Sequence, residues 1–144
     1  MKLVFLVADA AQVDDRGKVH VIGLGWTNIP TVSPPLALVL IVDIEQHEAP
    51  NTVGVKVELL DKNDQLAKVV RGQDSVETIQ IIAGGQAMPL PDDRAGEPNR
   101  LPLVIQLDRG IRIVPGTYKF RATVNIGAVA SETVDQVFRV LPEP

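Results

Sequence analysis

The sequence contains no cysteine and very few aromatic residues. Its 144 residues include one Trp, one Tyr and three Phe. Without cysteine the chain has no disulfide, no thiolate nucleophile and no thiolate metal ligand, a composition typical of reducing compartments. We therefore expect a cytoplasmic protein. The shortage of aromatic rings also leaves too few platforms for stacking on sugars, which argues against a carbohydrate-binding domain.

Positive charge and long apolar runs are scarce as well. Lys and Arg number 14 against 18 Asp and Glu, a net charge of −4, whereas nucleic-acid-binding domains carry an excess of basic side chains. The apolar run at residues 3–8 is shorter than the core of a secretory signal, and no run approaches the roughly 18 residues of a membrane span. We expect neither nucleic acid nor a membrane among the partners.

Helical periodicity is also missing, and an alternation of polar and apolar residues takes its place. Residues 117–126 alternate strictly, which predicts a strand with one apolar face. Residues 134–140 supply a second apolar face after a flexible connection. The pair is typical of the closing hairpin of an antiparallel β-sandwich. The side chains predicted to face the core are Tyr118, Phe120, Ala122, Val124 and Ile126 on the first strand and Val134, Phe138 and Val140 on the second.

Other segments of strand length are separated by turn residues. Residues 3–8 predict a strand buried on both faces, and residues 36–44, the most hydrophobic stretch, predict a central strand. Residues 53–60 alternate, and we expect residues 65–70 to pair back with them as an edge strand. About nine strands and no helix predict an all-β fold, an antiparallel immunoglobulin-like β-sandwich, in one domain over residues 1–144. The remaining predicted strands are residues 18–23 after a turn at 14–17, residues 76–83, and residues 101–107 before a turn at 108–110.

Two glycines one residue apart precede the single tryptophan. In a strand context, Gly23 and Gly25 predict a bulge or a close backbone approach. They do not predict a phosphate-binding loop, because no helix follows to supply an anion-binding N-terminus. We expect Trp26 to fill the core beside these glycines.

Several segments resemble a bacterial family of unknown function. The resemblance rests on Ala8-Asp9-Ala10-Ala11-Gln12-Val13, Gly17-Lys18-Val19-His20-Val21-Ile22-Gly23 and Gly25-Trp26-Thr27, and it extends through residues 55–61 and 115–138. It implies a small all-β, immunoglobulin-like sandwich and implies no activity. In such domains a tyrosine hydroxyl at the start of a late strand ties a corner to nearby backbone, which we expect of Tyr118. The cysteine that antibody domains carry two residues later is Phe120 here.

Catalytic motifs are missing from the sequence. Its two histidines are His20, in a predicted strand, and His47, in an acidic turn, and no Gly-x-Ser-x-Gly motif presents a nucleophile. His20 and an aspartate are potential transition-metal ligands, but their spacing matches no metal signature. We therefore expect no enzyme, no metal and no cofactor. A structure that places His20 beside a carboxylate in a cleft would reopen the question.

Aspartates recur in the predicted turns. Calcium takes six to eight oxygen ligands, and loops at one end of a β-sandwich are able to supply them. Turn aspartates also cap local backbone, so both interpretations stay open. The residues concerned are Asp14, Asp15, Asp61, Asp64, Asp92 and Asp93.

Residues 84–100 form the longest predicted loop. Loops of this length in compact domains are usually either functional or disordered. Three prolines stiffen the segment, which lowers the entropy lost on docking and favours an interaction loop, and a disordered insertion stays open as the alternative. Its candidate contact residues are Met88, Leu90, Asp92, Asp93 and Arg94.

Together these observations favour a non-enzymatic protein-interaction or assembly module. Exposed strand edges invite pairing with another chain, so we expect a protein partner or self-association into a homo-oligomer. The alternative is a small-ligand or calcium-binding β-sandwich that uses the loops around Asp61, Asp64 and Asp92.

Overall fold

The computed structural model describes residues 1–71, 75–107 and 109–144, and these form an all-β fold. The prediction of about nine strands is wrong, because the described residues form twelve strands in four sheets. They also hold two short 3-10 helices, Gln46–Glu48 and Asp92–Arg94, but no helix long and apolar enough to cross a membrane. The strands are β1 (Lys2–Ala8), β2 (Ala10–Val13), β3 (Val19–Ile22), β4 (Asn28–Ile29), β5 (Leu36–Ile44), β6 (Asn51–Asp61), β7 (Lys68–Arg71), β8 (Ser75–Thr78), β9 (Gln80–Ala87), β10 (Asn99–Leu107), β11 (Gly116–Ile126) and β12 (Ala130–Val140).

Two large sheets enclose the core. One has the strand order β1-β5-β10 and the other β4-β12-β11-β6-β9, with antiparallel pairing except between β4 and β12. Side chains of both sheets, among them Phe5, Leu40, Leu59 and Phe120, form one buried apolar cluster. Strand β5 is the central strand predicted at residues 36–44. The strand predicted to be buried on both faces, β1, instead alternates, and Val4 is 37% exposed.

The predicted closing hairpin is confirmed. Strands β11 and β12 pair along their whole length, and the five side chains predicted to face the core from β11 are buried. Phe138 stacks on Phe120 at 5.5 Å and on Tyr118 at 6.1 Å between ring centroids. The Tyr118 hydroxyl donates a hydrogen bond to the Val114 carbonyl at 2.7 Å, which confirms the predicted corner.

The predicted pairing of residues 65–70 with residues 53–60 is confirmed only next to the turn. Residues 65–67 pair antiparallel with the end of β6 through the Leu60–Leu66 bridge and backbone hydrogen bonds at Leu59 and Asp61, whereas β7 pairs with β8. The edge partner of β6 is β9, so the strand predicted at residues 76–83 is divided between two sheets. Pairing partners are set by tertiary packing, which the alternation of residues within one strand does not encode. The turn predicted at residues 108–110 includes Asp108, which lies outside the described residues.

The turn predicted at residues 14–17 is confirmed, since β2 and β3 pair as a hairpin around it, with Gly17 in the left-handed conformation at φ +77°. At Gly23 the close neighbour is the Asp9 side chain, which a Cβ atom would overlap, and not the backbone that was expected there. Asp9 in turn accepts a hydrogen bond from the Trp26 indole N–H at 2.9 Å. Trp26 is only partly buried and meets Phe138 edge-on at 6.3 Å, so it covers the margin of the core rather than filling it.

The edges of β1 and β12 are joined directly, and we call this the bridged side of the molecule. The Gln136 amide donates a hydrogen bond to the Phe5 carbonyl at 2.9 Å. Trp26 and Leu24 line the same seam with residues of both strands. A side-chain bond and an aromatic cover therefore close the gap between the two large sheets here.

Candidate functional site

The predicted interaction loop is shorter than expected, and an ion pair forms within it. Strand β9 extends to Ala87 and β10 begins at Asn99, so the connection covers only residues 88–98. The structure brings Asp92, Asp93 and Arg94 together in one 3-10 turn, where the Arg94 guanidinium binds the Glu97 carboxylate at 2.8 Å. Met88 is 61% exposed, whereas Leu90 is half-buried.

A cavity of about 320 Å³ lies beneath this loop. Leu90 and Glu97 line it together with Lys2 and Asp43. The Asp43 carboxylate accepts two hydrogen bonds from the Arg100 guanidinium, at 2.7 and 2.9 Å. The hydrogen bond from Arg100 lowers the pKa of Asp43 below its usual range, against the opposing effect of burial. The acid is therefore engaged in a cross-strand ion pair rather than presented to a ligand.

Two of the turn aspartates cap their own turns. Asp14 accepts the backbone N–H groups of Arg16 and Lys18 at 2.8 and 3.0 Å. Asp61 accepts two backbone N–H groups of its own turn in the same way. This is the local role that turn aspartates commonly take.

The remaining turn aspartates do not converge on a common point. Asp64 forms ion pairs with Lys119 and with Arg121, and the hydrogen bond from Lys119 lowers the Asp64 pKa. Asp15, Asp92 and Asp93 are exposed. Across the residues that the structure describes, no group of three His or acidic side chains is placed to hold a metal ion. The described residues therefore provide no cluster of ligands that would support the calcium-binding alternative.

His20 does lie beside a carboxylate. Its Nε2 atom is 2.8 Å from Asp14 Oδ2, and this hydrogen bond is the largest cause of the lowered pKa of Asp14. The histidine is 59% exposed, so the pair lies at a surface turn and not in the cleft that general acid–base chemistry would require.

Strand β9 is the strongest candidate for a functional site. It is the outermost strand of the five-stranded sheet, eight residues long, and contains neither a charged residue nor a proline. Proteins normally protect such edges with lysine, proline or a bulge, since free backbone groups there pair with other chains. The Ile82 side chain projects from the face of the sheet that lies away from the core, and it is 77% exposed.

Strand β10, the neighbouring edge strand of the other large sheet, is protected. It carries Arg100 and Pro102, and proline has no N–H group to offer a further strand. Between β9 and β10 lies a groove of about 110 Å³ whose walls include Val42, Val55 and Leu103. We call this the open side of the molecule.

Two adjacent glycines in β9 have no packing role against the part of the chain that the structure describes. A Cβ atom on Gly85 would meet nothing within 4 Å, and one on Gly84 would only touch the Val53 carbonyl oxygen at 3.4 Å. Neither glycine has a positive φ, although glycine weakens a strand by roughly 0.5–1 kcal/mol relative to alanine. Glycine within a strand often marks the close approach of another backbone.

The sequence contains a signal for this site, but two adjacent glycines conceal it. Residues 80–86 are uncharged and lack proline, which is the pattern of an unprotected strand. Gly84 and Gly85 instead favour the start of a loop, because glycine is a strong turn residue. The predicted interaction loop therefore began inside the strand that forms the site.

The comparisons with known proteins assign no activity. The profile of a family described as a family of unknown function (DUF6941) matches residues 3–131. No curated protein matches. Among solved structures, the chain is similar to a family 123 glycoside hydrolase from Clostridium perfringens, described for glycolipid glycan hydrolysis, with 15% identity and a TM-score of 0.42. The match covers 97% of this chain and 27% of the other, so the chain spans about a quarter of that length.

Proposed function

The chain belongs to the family of unknown function DUF6941, and we propose that it is a non-enzymatic protein-interaction module whose partner adds a strand to the free edge of β9. The observation that carries the proposal is an uncharged edge strand that combines the exposed Ile82 with two glycines. Each backbone hydrogen bond to an added strand contributes about 0.5–1.5 kcal/mol net. Alternating side chains along the strand then supply specificity.

A protein partner fits the open side better than a small ligand does. Pockets for small molecules are typically about 300–1,000 Å³, whereas the groove between β9 and β10 has a volume of about 110 Å³. The groups that β9 offers are backbone N–H and C=O, which recognise another backbone.

A non-catalytic role is supported by the position of the histidine pair. A catalytic histidine needs an orienting acid and a nucleophile in a site from which water is excluded. Asp14 and His20 meet at an exposed turn whose aspartate already caps the backbone.

We further propose that the fold is a single immunoglobulin-like sandwich. Two largely antiparallel sheets sharing one core are consistent with that class. The hydrogen bond from Tyr118 to Val114, four residues upstream, matches the tyrosine corner of such domains.

Site-specific photo-crosslinking tests the proposal. Benzoylphenylalanine replaces Ile82 in one variant and Val137 in another, and both are irradiated in the cells that make the protein. Val137 is a matched control, because it is 59% exposed and lies on β12, at the other side of the same sheet. We expect a discrete adduct from position 82 and none from position 137. Equal labelling at both positions, or none at 82, would contradict the proposal.

A further inference from the structure

We propose that the chain that adds to β9 is a second copy of this protein, paired antiparallel about a two-fold axis at Ala83. The inference rests on the proposed function and names its partner. It would join two five-stranded sheets into one continuous sheet across the dimer.

The hydrogen bonds of β6 and β9 determine which groups are free. The Leu59 N–H donates to the Ile79 carbonyl at 3.1 Å, so this is a hydrogen-bonded pair of the antiparallel ladder. Such pairs alternate along a ladder, which directs the backbone groups of Ile81, Ala83 and Gly85 toward β6. The groups of the intervening residues, Gln80, Ile82, Gly84 and Gln86, therefore point to the free edge.

A two-fold axis at Ala83 brings those free groups together. Ile82 of one copy lies opposite Gly84 of the other, and Gln80 lies opposite Gln86. Residues directly opposite each other in an antiparallel pair project from the same face of the sheet. In this register Ile82 and Gly84 both lie on the outer face, and so do Gln80 and Gln86. Each pair exchanges backbone hydrogen bonds across the interface.

The same register is complementary in shape. The segment Gln80-Ile81-Ile82-Ala83-Gly84-Gly85-Gln86 places each isoleucine opposite a glycine when it pairs with itself about Ala83. Ile82 and Gly84 share the outer face, and Ile81 and Gly85 share the inner face. The isoleucine side chains thereby cover the space that the glycines leave open, and no residue that the structure describes occupies that space.

The edge also lacks any charge that would oppose self-pairing. Two-fold symmetry brings identical residues close together, so a Lys or Glu near the axis would meet its own copy. Residues 79–87 contain no ionisable side chain. The glutamine side chains at the ends of the segment are able to hydrogen-bond across the interface.

Sedimentation velocity of the purified chain, from about 1 to 500 μM, tests self-association. We expect a monomer–dimer equilibrium whose dissociation constant rises roughly 100-fold or more in Ile82→Lys, since a charge at an edge opposes strand pairing. Gly84→Pro should also dissociate the dimer, because the Gly84 N–H points to the free edge and proline has no N–H to offer an added strand. The Gly84→Pro monomer should stay folded, since proline is tolerated on an edge strand where the lost N–H made no bond within the sheet. Val137→Lys should dimerise like the wild type.

A disulfide at the axis tests the register. The chain has no cysteine, so Ala83→Cys introduces a single thiol. Opposite residues in a sheet have Cβ atoms about 4.5–5.5 Å apart, close to the separation that a disulfide needs. We expect mild oxidation to link Ala83→Cys dimers quickly and to leave Ile81→Cys unlinked. The reverse result would overturn the register.

The outcomes separate this inference from the function on which it rests. A chain that stays monomeric at 500 μM while position 82 captures a different protein would overturn self-pairing and support strand addition. A monomer with no adduct at position 82 would overturn both. A dimer that survives Ile82→Lys would place the interface elsewhere and overturn the self-pairing proposal.

Discussion

On the bridged side, the edges of the two large sheets are tied by the Gln136–Phe5 hydrogen bond and covered by Trp26 and Phe138. On the open side, β9 and β10 flank a groove, and the bond from Asn99 to the Met88 carbonyl lies at its loop end. Side chains of the protein thus close the seam on the bridged side, whereas the edges of β9 and β10 border an open groove on the other side. The contrast predicts that mutations on the bridged side change folding stability and that mutations on the open side change association.

The largest expected effect is that of Phe138→Ala on the bridged side. Phe138 is 2% exposed and contacts the rings of Phe120, Tyr118 and Trp26. Removing its ring should cost about 3–5 kcal/mol of unfolding free energy, measured by urea denaturation. The neighbouring exposed residue provides the control, and Val137→Ala should stay within about 0.5 kcal/mol of the wild type. A loss below about 1 kcal/mol for Phe138→Ala would remove the basis of the comparison.

A smaller effect is expected when the bridging hydrogen bond is deleted. Gln136→Ala leaves the Phe5 carbonyl without its side-chain donor, which should cost about 1 kcal/mol. The matched control is Gln106→Ala, which truncates an exposed glutamine of β10 on the open side. Equal thermal midpoints for the two variants would show that the bridge does not stabilise the seam.

The smallest expected effect is the difference in stability between variants that break two similar ion pairs. Arg121 binds Asp135 between β11 and β12, and Arg100 binds Asp43 between β5 and β10, each through two hydrogen bonds. Arg121 is 27% exposed and Arg100 is 52% exposed, so solvent screens the second pair more. At pH 7, Asp135→Asn should cost about 1 kcal/mol and Asp43→Asn at most about 0.5 kcal/mol.

The pH dependence of these pairs has a definite sign. The hydrogen bond from Arg121 lowers the pKa of Asp135 in the folded state, and that from Arg100 lowers the pKa of Asp43. Each contribution is therefore present above the usual Asp pKa of about 3.9 and is lost as the pH falls through the lowered folded-state value. Urea denaturation at pH 7 and near pH 3 should show the wild type and Asp135→Asn converging. A gap that widens in acid would contradict this linkage.

The sequence predicts elements whose partners are close along the chain better than those whose partners are distant. The β11–β12 hairpin, its buried face and the Tyr118 corner all follow from local alternation and one short turn. The pairing of β6 with β9 instead of residues 65–70 does not, because both candidates are apolar enough to serve as an edge. Packing of the whole sheet decides between them.

The candidate site was missed for a related physical reason. Glycine is permitted both in turns and in strands, and only the space around Gly84 and Gly85 reveals that they belong to β9. The buried Glu48 was equally inaccessible to sequence reasoning. It is 2% exposed and lies 2.6 Å from the Met1 amino group, a contact that no local pattern specifies.

The short connection between β11 and β12 also bears on the order in which the chain folds. The connection between β11 and β12 consists of Gly127, Ala128 and Val129. Pairing β10 with β5 requires a much longer loop to close, because its nearest paired residues are Ile44 and Asn99. Closing a short loop costs less entropy and is faster than closing a long one. We therefore expect pulse-labelled hydrogen exchange to protect β11 and β12 before β10. During that interval β10 has not joined the three-stranded sheet, so the apolar side chains of the groove beside β9 are exposed, and this is the stage at which we expect the chain to aggregate most readily.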